Sequence, residues 1–165
     1  MRIGKILVAL AAIALWTACE SETEATVQYA AQLTGGSVKP AAVSTGGSGA
    51  FALTVTGGAV LSYNLDFQGL SSAATAANIR GPAADTDTAK VIIDLSSLPA
   101  TLGTGSATLG GTSGGAVGNF RIAGTVAPGF GADSLRRLMD KGLLYVSVET
   151  ANHPGGEIRG QISKQ

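Results

Sequence analysis

Residues 143–162 read Leu143-Leu-Tyr-Val-Ser-Val-Glu-Thr-Ala-Asn-His-Pro-Gly-Gly-Glu-Ile-Arg-Gly-Gln-Ile162. Tyr145, Ser147 and Glu149 alternate with Leu144, Val146 and Val148, the period-2 pattern of a half-buried strand. Pro154-Gly155-Gly156 cannot continue that strand and predicts a turn. From Glu157 to Ile162 the alternation resumes. The stretch therefore predicts two strands joined by a loop.

The same reading extends to the rest of the chain. Val27 to Leu33 predicts an edge-like strand, and residues 34–48, rich in Gly, Ser, Ala and Pro, a loop. Phe51, Leu53 and Val55 alternate in one strand; Leu61, Tyr63, Leu65 and Phe67 alternate in the next. Gly57-Gly58 between them predicts a two-residue hairpin turn. Further strands are expected over 77–81, 90–95 and 119–126, with a weak one near 107–109. Residues 133–141 predict a helix: Asp133 as N-cap, Leu135, Leu138 and Met139 on one face, and Gly142 at the C′ position. About eight short strands and one short helix predict an all-β fold, an antiparallel Greek-key sandwich or barrel. Ala77-Asn-Ile-Arg-Gly81 and Gly156-Glu-Ile-Arg-Gly160 echo each other as a short pseudo-repeat.

With 165 residues, 13% of them charged and 24 of them glycine, the chain suits one β-rich extracellular domain rather than a disordered segment. No basic stripe with interleaved aromatics is present, which argues against nucleic acid as a partner. Cys19 is the one cysteine, so no intrachain disulfide can form. Arg2 and Lys5 precede an apolar run, Ile6 to Leu15, too short to span a bilayer. Thr17-Ala18-Cys19 follows. This resembles a bacterial lipoprotein signal, although Trp16 stands where leucine is usual and Leu15 one place earlier. The competing reading is an ordinary secretory signal cleaved at or after Ala18. The expected organisation is a signal over 1–18, a tether over 19–26 and one domain over 27–165. The expected partner is the membrane, through a lipid on Cys19, after export by the Sec pathway. Glu20 after the cysteine favours the outer membrane or cell surface.

The C-terminal stretch resembles the CHRD domain, the module repeated in chordin and found alone in bacterial secreted proteins. That family closes on a pattern close to Tyr-Val-Asn-Val-His-Thr, a loop, and Pro-Gly-Gly-Glu-Ile-Arg-Gly-Gln. Two departures stand out. Where relatives carry Glu-Val-Pro-Pro, this chain has Ser37-Val38-Lys39-Pro40. Where they carry His-Ile-His-Gly and Val-His-Thr, it has Asn78, Arg80 and Glu149. In relatives, the resemblance implies three imidazoles on two strands, a metal-like cluster similar in outline to copper/zinc superoxide dismutases. An amide, a guanidinium and a carboxylate cannot replace three neutral imidazoles, so no metal and no cofactor is expected here. Arg80 and Glu149 are instead expected to form a structural ion pair, the alternative being two unrelated surface charges.

Little else in the chain suggests chemistry. His153 is the one histidine, and neither a Gly-x-Ser-x-Gly elbow nor zinc spacing occurs. His153 reads as an exposed turn residue, and Glu157 and Arg159 as structural charges of the last strand. Asp85 and Asp87 offer only an incomplete calcium loop. The expectation is a non-catalytic, lipid-anchored envelope module that binds a protein or cell-surface ligand or serves a structural role. Its rivals are a metal-binding redox or metal-storage protein on a superoxide-dismutase-like scaffold, and an envelope adhesin. Chordin's growth-factor binding belongs to an animal protein with other domains and does not transfer.

Overall fold

Alternation in the central hairpin decides which side of the sheet faces inward. Leu61, Tyr63, Leu65 and Phe67 are buried along β3 (Val60–Gln68), and Phe51, Leu53 and Val55 along β2 (Ser48–Thr56). Tyr29, Ala31 and Leu33 do the same on β1 (Thr26–Thr34). Register stacks these into rows, with Tyr29 opposite Leu53 and Leu53 opposite Tyr63. The computed structural model describes residues 25–57, 60–98, 103–121, 125–127 and 130–165. The expected signal, Cys19 and most of the tether lie outside the described residues.

The remaining strands are β4 (Ala74–Arg80), β5 (Val91–Asp94), β6 (Gly103–Thr108), β7 (Gly114–Arg121), β8 (Thr125–Ala127), β9 (Phe130–Gly131), β10 (Tyr145–Thr150), β11 (Ile158–Gln161) and β12 (Ser163–Lys164). One antiparallel sheet runs β5-β4-β10-β11-β1-β2-β3-β7-β6, with β12 also on β1; β8 and β9 form a separate ribbon. The fold is all-β, as the alternation predicts. Three connections, β3 to β4, β5 to β6 and β7 to β10, the last by way of β8, β9 and the helix at 132–140, carry the chain between the two limbs of this sheet. The sheet curls around a single core. Ile79, Ile92, Val146, Val148 and Ile158 of one limb join Phe51, Leu53, Leu61, Leu65 and Phe120 of the other. Tyr63 lies between Phe51 and Phe120, with ring centroids 6.5 Å and 6.0 Å away. Each fully buried side chain of this kind contributes about 1.5–3 kcal/mol.

The helix α1 (Ala132–Asp140) closes the core with Leu135 and Met139. The Tyr29 hydroxyl donates to Asp140 Oδ1 at 2.8 Å and ties the helix to β1. Gly142 adopts φ +63, as its C′ position requires.

Several expectations are corrected. The helix begins one residue earlier than expected, and Gly131, not Asp133, is its N-cap. Strand β1 is no edge, because it pairs with β2, β11 and β12. Strand β10 is buried on both sides rather than half-buried: Tyr145 and Ser147 are as enclosed as Val146 and Val148. Thr56 pairs with Val60, so three residues, not two, connect β2 and β3. The weak strand near 107–109 lies further back, as β6, and the expected 119–126 strand is two strands, β7 and β8. On β5, Ile92 and Ile93 are both buried, because the register slips between Ile79 and Arg80 of its partner β4.

Gly160 shows how closely β11 approaches β1. A methyl group there would collide with the Gln32 carbonyl, a backbone atom that cannot turn away. Gly160→Ala is expected to destabilise the domain by about 2–4 kcal/mol. Urea unfolding at equilibrium measures this, and an unchanged midpoint would contradict the packing described.

Candidate functional site

Strands β4, β10 and β11 lie side by side, and their alternation separates two chemistries. Ala77, Ile79, Val146, Val148 and Ile158 enter the core. Asn78, Arg80, Tyr145, Ser147, Glu149, Arg159 and Gln161 occupy the alternate positions. The two echoing pentapeptides are therefore strands flanking β10, offset by two residues: Ala77 and Ile158 both pair with Val148.

The structure brings Asn78, Arg80 and Glu149 together. Asn78 Nδ2 donates to Glu149 Oε1 at 3.0 Å, and Arg80 Nη2 forms an ion pair with the same oxygen. Arg80 Nη1 also donates to the Ala89 carbonyl at 3.2 Å. The pair is largely covered, with side chains 22% and 15% exposed. Register explains the reach. Glu149 lies opposite Ala76 and Arg80 opposite Tyr145, so the long arginine arm runs back past Asn78 to meet the carboxylate.

Beside this pair, the segment 81–90 is strapped across the polar face. Arg159 donates to the carbonyls of Asp87 (2.6 Å) and Ala84 (2.9 Å). Its guanidinium lies 3.7 Å from the Tyr145 ring centroid, a favourable cation–π position. Burial lowers the Arg159 pKa, while Tyr145, Asp85 and Asp87 oppose that effect. The Tyr145 hydroxyl accepts from Ala89 N–H at 3.0 Å, and Gln161 Nε2 donates to the Ala83 and Gly142 carbonyls. Asp85 and Asp87 are exposed on this strap. No group of three or more potential metal ligands occurs among the described residues.

Glu157 is a second centre, completely buried. Four donors converge on its carboxylate. Thr45 Oγ1 and Ser71 N–H reach Oε1, both at 2.6 Å; Ser71 Oγ (2.8 Å) and Thr150 Oγ1 (2.7 Å) reach Oε2. Burial alone would raise its pKa. The hydrogen bonds from Thr45, Ser71 and Thr150 outweigh burial and hold it down to about 2. His153 is half-buried in the turn, where its backbone pairs with Thr150 in both directions.

Neither centre fits a metal. At Asn78, Arg80 and Glu149, the guanidinium already neutralises the one carboxylate, and the amide bonds to it as well. A divalent cation would have to displace a covered ion pair. The sequence alone did not reveal Thr45, Ser71 and Thr150 as partners of Glu157, nor Tyr145 and Gln161 as anchors of the strap. The available signal was a row of polar residues in a strand whose other face is wholly apolar.

In a double-mutant cycle, Arg80→Ala and Glu149→Ala are expected to couple by about 1–2 kcal/mol; zero coupling would reduce the pair to a surface contact. Glu157→Ala is expected to cost about 3–5 kcal/mol by leaving buried donors unpaired. Glu157→Gln keeps an acceptor for Ser71 N–H and should cost only about 1–2 kcal/mol. Because the folded pKa lies below the ordinary 4.5, the charged form stabilises the native state fully above about pH 4.5. That stability is lost as pH falls towards about 2. Stability curves over this window should flatten in Glu157→Gln relative to the parent chain.

No curated protein and no solved structure matches the chain. The CHRD domain family matches residues 29–162, a span that runs from β1 through both polar centres to the end of β11. The chain belongs to the CHRD domain family.

Proposed function

We propose that this chain is a non-catalytic lipoprotein of the cell envelope, anchored through Cys19, whose CHRD domain acts as a binding or structural module. One observation carries the reading: the carboxylates of Glu149 and Glu157 and the guanidinium of Arg159 are bonded to groups of the domain itself. Glu157 clamps three segments, Glu149 pairs with Arg80, and Arg159 holds a strap by backbone carbonyls. A general acid or base must have a proton to exchange with a substrate within reach. These carboxylates face donors of their own fold instead. The pattern of Arg2, Lys5, the apolar run and Thr17-Ala18-Cys19 supports export by the Sec pathway and acylation. Placement at the outer membrane or cell surface accords with Glu20 after the cysteine.

Two measurements on the whole protein test this reading. In cells, the chain should incorporate labelled palmitate and partition into detergent, and Cys19→Ser should abolish both; label retained in the variant would refute the anchor. Melting of the purified protein with copper, with zinc and with a chelator should give one common Tm. A metal-dependent rise would instead favour the metal-binding redox or storage reading.

A further inference from the structure

Helix α1 lies at the end of the domain where the described chain begins. Ala25, Val27, Tyr29 and Val55 line a hollow of ≈ 220 Å³ together with Arg136. On the helix's other flank, Pro82, Phe130, Leu138 and Leu143 line a second hollow of ≈ 310 Å³ with Arg137 and Lys141. Arg136, Arg137 and Lys141 are exposed, whereas Leu138 and Leu143 are only half-buried. Lys164 joins them through Asp140, 3.5 Å away. Four of the chain's eleven basic residues thus gather at this end of the domain, on the two flanks of α1.

The acidic groups nearby are accounted for. Asp140 is already engaged by the Tyr29 hydroxyl and by Lys164. The hydrogen bond from Tyr29, opposed by burial and aided by Lys164, holds its carboxyl below the ordinary range. Asp133 stands at the helix start, and Glu20, Glu22 and Glu24 precede the domain. Their charge partly offsets that of the four cations.

We infer that this end of the domain, with Arg136, Arg137, Lys141 and Lys164 around α1 and half-buried Leu138 and Leu143 beside them, docks onto the anionic lipid headgroups of the membrane that holds the anchor. The inference rests on the lipid-anchored reading and deepens it. Between an acylated Cys19 and Ala25, the linking residues can span at most about 20 Å. The end of the domain that carries Ala25 must therefore stand close to the bilayer. Cations there would meet lipid phosphates, and the apolar hollows would take the upper acyl region. A lipid anchor combined with a basic patch binds a membrane more firmly than either alone.

The test uses the mature chain from residue 19 with Cys19→Ser, so that no lipid contributes. It is sedimented with vesicles of phosphatidylcholine alone and of phosphatidylcholine with phosphatidylglycerol, at low and high salt. The expected result is binding to the phosphatidylglycerol vesicles only, released by salt. Arg136→Glu with Arg137→Glu should weaken that binding about tenfold or more. If this variant melts early, Arg137→Gln with Lys141→Gln gives the same readout without charge reversal. Equal binding to both vesicles, no binding to either, or undiminished binding by a folded variant would overturn the inference. So would ready displacement by free glycerol phosphate, which would point to a soluble anion. Palmitate labelling is read separately, so loss of the anchor reading and loss of the docking face give different results.

Discussion

The buried Glu157 carboxylate holds this fold together at its least regular point. Its four donors come from three separate segments: Thr45 from the loop before β2, Ser71 from the crossing between β3 and β4, and Thr150 from the end of β10. Thr45 and Ser71 themselves lie outside the sheet ladders, which stop nearby at Ser48 and Ala74. A charged acceptor in a low-dielectric interior gains strength from each donor and would be costly without them. The register shift between Glu149 and Thr150 lies beside it. The carboxylate fixes loop positions there that sheet pairing leaves undetermined.

The second polar centre follows the same logic at the opposite end of β10 and β11. Arg159 and Gln161 bond mainly to backbone carbonyls, and Tyr145 holds Ala89 from both sides of its peptide. These side chains supply the partners that an irregular strap lacks. Arg80 and Glu149 close the row by neutralising each other. Polar residues in the middle of these strands thus connect segments of the fold that the sheet does not pair.

Part of this was legible in the chain. The β2–β3 hairpin was visible because one face is buried and the other wet, the one case in which period 2 shows plainly. The positive φ of Gly142 was visible for a similarly local reason. Strand β10 was read as half-buried because Tyr145, Ser147 and Glu149 look like solvent-facing residues. Tyr145 is tied to the strap of residues 81–90, Ser147 lies beside Gly156, and Glu149 is met by Asn78 and Arg80; nothing near them in sequence signals that cover. The helix N-cap was misplaced by two residues, since Asp133 is a better cap by type than the glycine that occupies the position.

By itself the sequence determined the all-β class, the hairpin, the short helix and the family, and it singled out Asn78, Arg80 and Glu149. These depend on residue type and on spacing along a few neighbours. Only the tertiary structure decided that those three residues meet, that Thr45 and Ser71 reach Glu157, and that four cations share the end of the domain carrying Ala25. Each of these depends on which strands pair and how the sheet curls. That choice is made by burying one common core from both limbs, over separations along the chain that local pattern cannot encode.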